Sequence, residues 1–131
     1  MPGTRVGTTL DASTNVRMTA KVVPAAGWVR VNAAVNGIPA GENCRLLVVS
    51  RDGTREIAAG WIVSEKGETD GTTLDGSAAV DPADVVAVEV QNTEGRTFVT
   101  LPCNPALTNV DVCGKLSQRA RGRSRNVRDS Y

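Results

Sequence analysis

Three cysteines, two tryptophans, a scatter of carboxylates and an arginine-rich end are the residues of this chain whose types could do chemistry. Cys44 could sense redox state or pair with Cys103, although its place at the head of an apolar run also suits a small packing residue. Cys103 and Cys113 stand ten apart, close enough to close a disulfide loop outside the cytoplasm or to remain thiols. Trp28 and Trp61 could line a surface groove, since exposed aromatics anchor binding, or pack at the rim of a core poor in large side chains. Asp75, Asp81, Asp84 and Glu89 lack the tight alternation of a calcium loop and read as surface charge.

The missing residue type narrows the chemistry further. The chain has no histidine, so the commonest general base and metal ligand is gone. Ser50, Ser64 and Ser77 therefore have no base to activate them, and an enzyme is not expected. Three dispersed cysteines do not make a four-ligand zinc site, and no metal or other cofactor is expected.

Charge is distributed unevenly. Residues 115–131 carry six basic side chains (Lys115, Arg119, Arg121, Arg123, Arg125, Arg128) against Asp129, while the preceding chain holds nine basic and thirteen acidic ones. The basic stretch has no interleaved aromatics apart from Tyr131, and no folded basic face accompanies it. It reads as a solvated tail, with no nucleic-acid partner expected.

The elements that must position these residues are strands. Aromatics are 3% of the chain and hydrophobics 40%, so the core must be built from Val, Leu, Ile and Ala, a composition that favours sheet. Residues 1–15, rich in Gly, Thr and Ser, read as a flexible lead-in. Val16, Met18, Ala20 and Val22 alternate with polar residues, and Val29, Val31, Ala33 and Val35 do so again. Trp28 stands at the start of that second strand, covering an end of the core. A Gly37–Gly41 turn precedes the clearest hairpin, residues 44–63, hinged on Asp52-Gly53 as a type I′ pair. Gly60 within it suggests a bulge or a close backbone approach. Residues 65–71 read as a solvent loop, 72–80 as a weak strand, and Asp81-Pro82 as a capped helical turn. The strands over 85–91 and 97–101, turning at Gly95, close the series.

Seven strands at intervals of about 8–12 residues predict an all-β fold, a seven-stranded antiparallel immunoglobulin-like β-sandwich over residues 16–102. Residues 103–131 are expected to be a disordered, cysteine-containing basic tail. Open edge strands could pair between copies, giving a homodimer. No apolar run reaches the roughly 18 residues of a membrane span, and the first ten residues lack a secretory signal's apolar segment, so the chain as given is expected to be soluble.

The succession GWVRVNAAVNGIPAGENCRLLVVSRDGTREIAAGWIVSEKG, followed by GSAAVDPADVVAVEVQNTEGRTFVTLP, resembles the extracytoplasmic C-terminal domain of bacterial membrane-anchored, zinc-associated anti-sigma factors. The features that carry the resemblance are the Gly37–Gly41 turn, Cys44 and Leu46, Asp52-Gly53, Gly60-Trp61 and Gly95. The resemblance implies a non-enzymatic sensor or scaffold domain on the outer side of the membrane, regulating transcription initiation by conformational change or by presenting a juxtamembrane segment to cleavage. It implies a sigma-factor partner bound only through a cytoplasmic zinc-motif domain outside this chain, and a protein partner or protease in the cell envelope. The alternative from another class is a secreted or cell-surface module that binds protein or carbohydrate through its loops.

Overall fold

The computed structural model describes residues 3–103. It is all-β, with eight strands in two antiparallel four-stranded sheets. The strands are β1 (Arg5–Asp11), β2 (Val16–Pro24), β3 (Val29–Asn36), β4 (Asn43–Ser50), β5 (Arg55–Ile62), β6 (Thr72–Ala78), β7 (Val85–Asn92) and β8 (Thr97–Pro102). One sheet has the order β1-β2-β3-β6 and the other β5-β4-β7-β8.

The alternation read from the sequence places the core. Val16, Met18, Ala20 and Val22 of β2 and Val29, Val31, Ala33 and Val35 of β3 are buried. They share one cluster with Cys44, Leu46 and Val48 of β4, Val85, Val88 and Val90 of β7, and Phe98, Val99 and Leu101 of β8. Burying each such aliphatic side chain contributes about 1.5–3 kcal/mol, and short branched side chains from facing sheets fill this core almost without aromatics.

Four expectations are corrected. The strand count is eight, because residues 5–11, expected to be a flexible lead-in, pair along their length with β2 from Arg5↔Val22 to Asp11↔Val16. The turn between them is held by Asp11, whose Oδ1 accepts from the backbone N of Ser13 and Thr14 and from the Ser13 hydroxyl, at 2.9, 3.2 and 2.7 Å. Those bonds lower the Asp11 pKa from its ordinary value. The folded body therefore begins before residue 16. Second, the expected solvent loop 65–71 contains a one-turn helix, α1 (Glu65–Asp70), because the Ser64 side chain accepts from Gly67 N.

Third, the β4–β5 turn is not type I′, which needs positive φ at both central residues. Only Gly53 has it, at φ 91°. Ser50 N donates to Thr54 O at 2.8 Å and Gly53 N to Ser50 O at 2.9 Å, a three-residue loop with glycine in the left-handed position. The β7–β8 connection repeats the solution: Asn92 N donates to Arg96 O, Gly95 N to Asn92 O, and Gly95 has φ 89°.

Fourth, the bulge in β5 lies at Ala58 and not at Gly60, since Leu46 pairs with Ala59 and Leu47 with Ile57. The close backbone approach belongs to Gly76 of β6, where a Cβ would stand 2.0 Å from the Ala58 carbonyl oxygen. The two sheets draw together along this side, β5 against β6. The expected capped turn at Asp81 is a short 3-10 helix, Pro82–Asp84, with Asp81 accepting from Ala83 N. The expected disordered tail lies, beyond Cys103, outside the described residues.

Candidate binding surfaces

The strand registers sort the sequence-chosen residues to opposite ends of the body. Trp28 precedes β3 at the end that also holds the β4–β5 turn and the 3-10 helix, whereas Trp61 pairs with Cys44 at the start of β4, at the other end. The two tryptophans therefore line no common groove. Trp28 is 36% exposed with the Arg30 guanidinium 5.6 Å from its ring centroid, and it is absent from the packed cluster it was expected to cover. Trp61 is partly buried and packs against the core, the packing role of the two that its residue type allowed.

Cys44 is buried and free. Burial first, and the nearby Glu42 second, push its thiol up to about 11. A thiol so poorly ionised is a weak nucleophile, which runs against the redox-sensor reading. Cys103 is disulfide-bonded, and Cys44 is not its partner. Its backbone N donates to Val86 O at 2.8 Å. Cys113 lies outside the described residues.

The carboxylates do not converge. Asp75 stands on the outer face of the first sheet beside Asn32, and Glu89 on the outer face of the second. Asp81 caps the 3-10 helix, while Asp84 faces Arg51 at 3.7 Å. Asp52, Glu56, Asp81 and Asp84 border a shallow hollow at the β4–β5 turn, with Asp52 accepting from Thr54 N. Among the described residues no group of three or more His, Cys, Asp or Glu is arranged to hold a metal ion. Nor is any described helix long and apolar enough to cross a membrane.

The outer face of the second sheet carries what sequence reasoning missed. Glu89, 7% exposed, accepts from Arg55 Nε at 2.9 Å, Gln91 Nε2 at 3.2 Å and the Thr100 hydroxyl at 3.3 Å. Glu89 in turn holds the Arg55 guanidinium above its ordinary pKa. Leu47 and Val49 lie nearly covered beside this network, at 6% and 8% exposure. Next to them on the edge strand β5, Ile57 and Ile62 are 60% and 67% exposed. Between those two isoleucines the side chain of Arg45 lies over Gly60, its Nη1 3.3 Å from where a Cβ would stand. Arg45 donates to Asn43 Oδ1 at 2.8 Å and to the Cys44 carbonyl at 3.2 Å, with no carboxylate within 4.0 Å among the described residues. The bulge is the signal that could have found this strip: without it, strict alternation from Ile57 turns Ile62 to the opposite face.

The outer face of the first sheet exposes Arg17, Thr19 and Lys21 of β2 beside Val6 and Leu10 of β1. Arg17 and Asn36 border a 130 Å³ hollow that Asp70, Thr72 and Thr73 complete. Comparison of the chain with family models, with curated proteins and with solved structures returns no match.

Proposed function

We propose that this chain is the extracytoplasmic sensor or scaffold domain of a membrane-anchored, zinc-associated anti-sigma factor, non-enzymatic and immunoglobulin-like in topology. The observation that carries the reading is the ordered set of motifs from Gly37 to Gly95. The Gly37–Gly41 turn joins β3 to β4, Cys44 and Leu46 begin β4 facing inward, Asp52-Gly53 turns into β5, Gly60-Trp61 nears its end, and Gly95 turns β7 into β8.

The strand order supports the topology. With β1 set aside, β2 to β8 fall into the arrangement A-B-E against C′-C-F-G, the two-sheet order of immunoglobulin-like sandwiches with β5 paired to the C strand. The disulfide of Cys103 supports an oxidising, extracytoplasmic setting. In this reading sigma-factor binding resides in a cytoplasmic domain outside this chain, and this domain meets a protein partner or a protease in the envelope. The Ile57 and Ile62 exposure favours the second reading, a secreted or cell-surface binding module.

The reading frame upstream of Met1 separates the two. An anti-sigma factor requires a membrane helix preceded by a His-x-x-x-Cys-x-x-Cys motif, and its full-length product must repress a sigma-dependent reporter in a manner altered by deleting residues 3–103. A signal peptide directly before this domain, or a full-length product with no effect on any sigma-dependent reporter, contradicts it.

A further inference from the structure

We infer that the outer side of β5 is a docking strip for an extended peptide segment with an acidic residue between two apolar ones. The inference holds under either reading of the whole protein, since it concerns only what this domain grips. Ile57 and Ile62 are the two most exposed large hydrophobics among the described residues. The bulge at Ala58 puts both on one face of a sheet-edge strand, with Gly60 between them. Counted along the ladder, Ile57, Gly60 and Ile62 occupy alternate positions, a run of about 13 Å. An extended partner presents its own alternate side chains at that spacing.

Charge chooses the partner. The central position is occupied by the Arg45 guanidinium lying over Gly60, hydrogen-bonded to Asn43 and Cys44 but facing no carboxylate. Arg55, beyond Ile57, has its carboxylate in Glu89, which leaves Arg45, among the described residues of this strip, as the cation open to an incoming acid. A carboxylate placed between two apolar contacts there forms a charge-assisted hydrogen bond with the guanidinium, which sets specificity more than raw affinity. A second copy of this chain fits less well: antiparallel pairing that sets Ile57 against the partner copy's Ile62 also sets Arg45 against its own equivalent, a like-charge contact at the symmetry axis. At Ala58 the strand edge is turned toward Gly76 of β6, so the partner lies over the outward side chains from Ile57 to Ile62 and not along that edge.

The test is fluorescence anisotropy with the full chain and a labelled heptapeptide, Thr-Val-Thr-Asp-Thr-Val-Thr, beside the same peptide with Lys for Asp. The inference predicts saturable binding of the Asp peptide and at least about tenfold weaker binding of the Lys peptide. Ile57→Lys combined with Ile62→Lys abolishes binding while leaving the circular dichroism spectrum unchanged, and Arg45→Glu reverses the preference between the peptides. Both isoleucines are exposed, so these variants fold. No saturable binding by about 1 mM, equal affinity for the two peptides, or binding that survives the double isoleucine variant overturns the inference. Sedimentation showing a dimer that the same double variant dissolves assigns the strip to a second copy and overturns it as well. None of these outcomes depends on a sigma factor, so failure here leaves the anti-sigma reading to its own test.

Discussion

The guanidinium of Arg5, in the first strand of one sheet, donates to the carbonyl oxygens of Pro82 at 2.6 Å and Val85 at 3.2 Å in the other. Arg5 is 1% exposed, the largest of the fully buried side chains. It joins β1 to the 3-10 helix and the start of β7 across the two sheets. At the opposite end of the same edge, the Thr14 hydroxyl donates to Phe98 O at 2.6 Å.

Replacing this side chain removes two charge-assisted bonds and leaves buried carbonyls without their donor. Arg5→Met is expected to lower unfolding stability by about 2–4 kcal/mol in urea titration. A loss below about 0.5 kcal/mol would show that β1 is held by its ladder with β2 alone.

The reason β1 is hard to see in the sequence lies in these residues. Its inward side carries Arg5, Gly7, Thr9 and Asp11, while Val6 and Leu10 point outward at 50% and 46% exposure. The usual apolar-in alternation is inverted, because a long cationic side chain crossing to main-chain carbonyls replaces an apolar inner face. The hairpin from β4 to β5 was legible for the opposite reason: Leu46, Leu47, Val48 and Val49 make a nearly continuous apolar run, buried throughout, and Asp52-Gly53 marks the turn. The candidate strip was legible only in its residue types. Trp28 and Trp61 drew attention as aromatics, whereas the exposed apolar surface depends on a bulge at Ala58, two residues before the glycine that suggested one. α1 escaped notice because one turn of helix has no period to detect, only the Ser64 cap.

Gly76 and Gly60, two glycines on facing edge strands, should respond oppositely to a methyl group. At Gly76 a Cβ meets the Ala58 main-chain oxygen at 2.0 Å, while at Gly60 its nearest neighbour is the flexible side chain of Arg45 at 3.3 Å, with the Cys44 main-chain oxygen at an ordinary 3.6 Å. Gly76→Ala is expected to cost about 3 kcal/mol or more, and Gly60→Ala to stay within about 1 kcal/mol of the parent. Thermal melts of the two variants check this, and equal melting temperatures would contradict the close sheet approach.

Cys44 should be silent toward thiol reagents in the native state. Its thiol, raised to about 11 from an ordinary 9.0, is buried and un-ionised at neutral pH, so a disulfide-exchange reagent should label it only after denaturation. The linkage has a definite sign. Above pH 9 the unfolded chain loses this proton while the folded chain keeps it, so the group's contribution to stability falls as pH rises from about 9 to about 11. Cys44→Ala should flatten that part of the stability profile; an unchanged alkaline slope would assign it to other groups.

Whether the outer side of β5 is where this domain grips a partner is decided by a two-dimensional amide NMR titration with the Asp-containing heptapeptide. Shifts are expected to concentrate at Ile57, Gly60, Ile62 and Arg45, with Trp28 and the outer face of the first sheet unmoved. Shifts centred on Trp28 or on the hollow beside Arg17, with β5 unmoved, would contradict it.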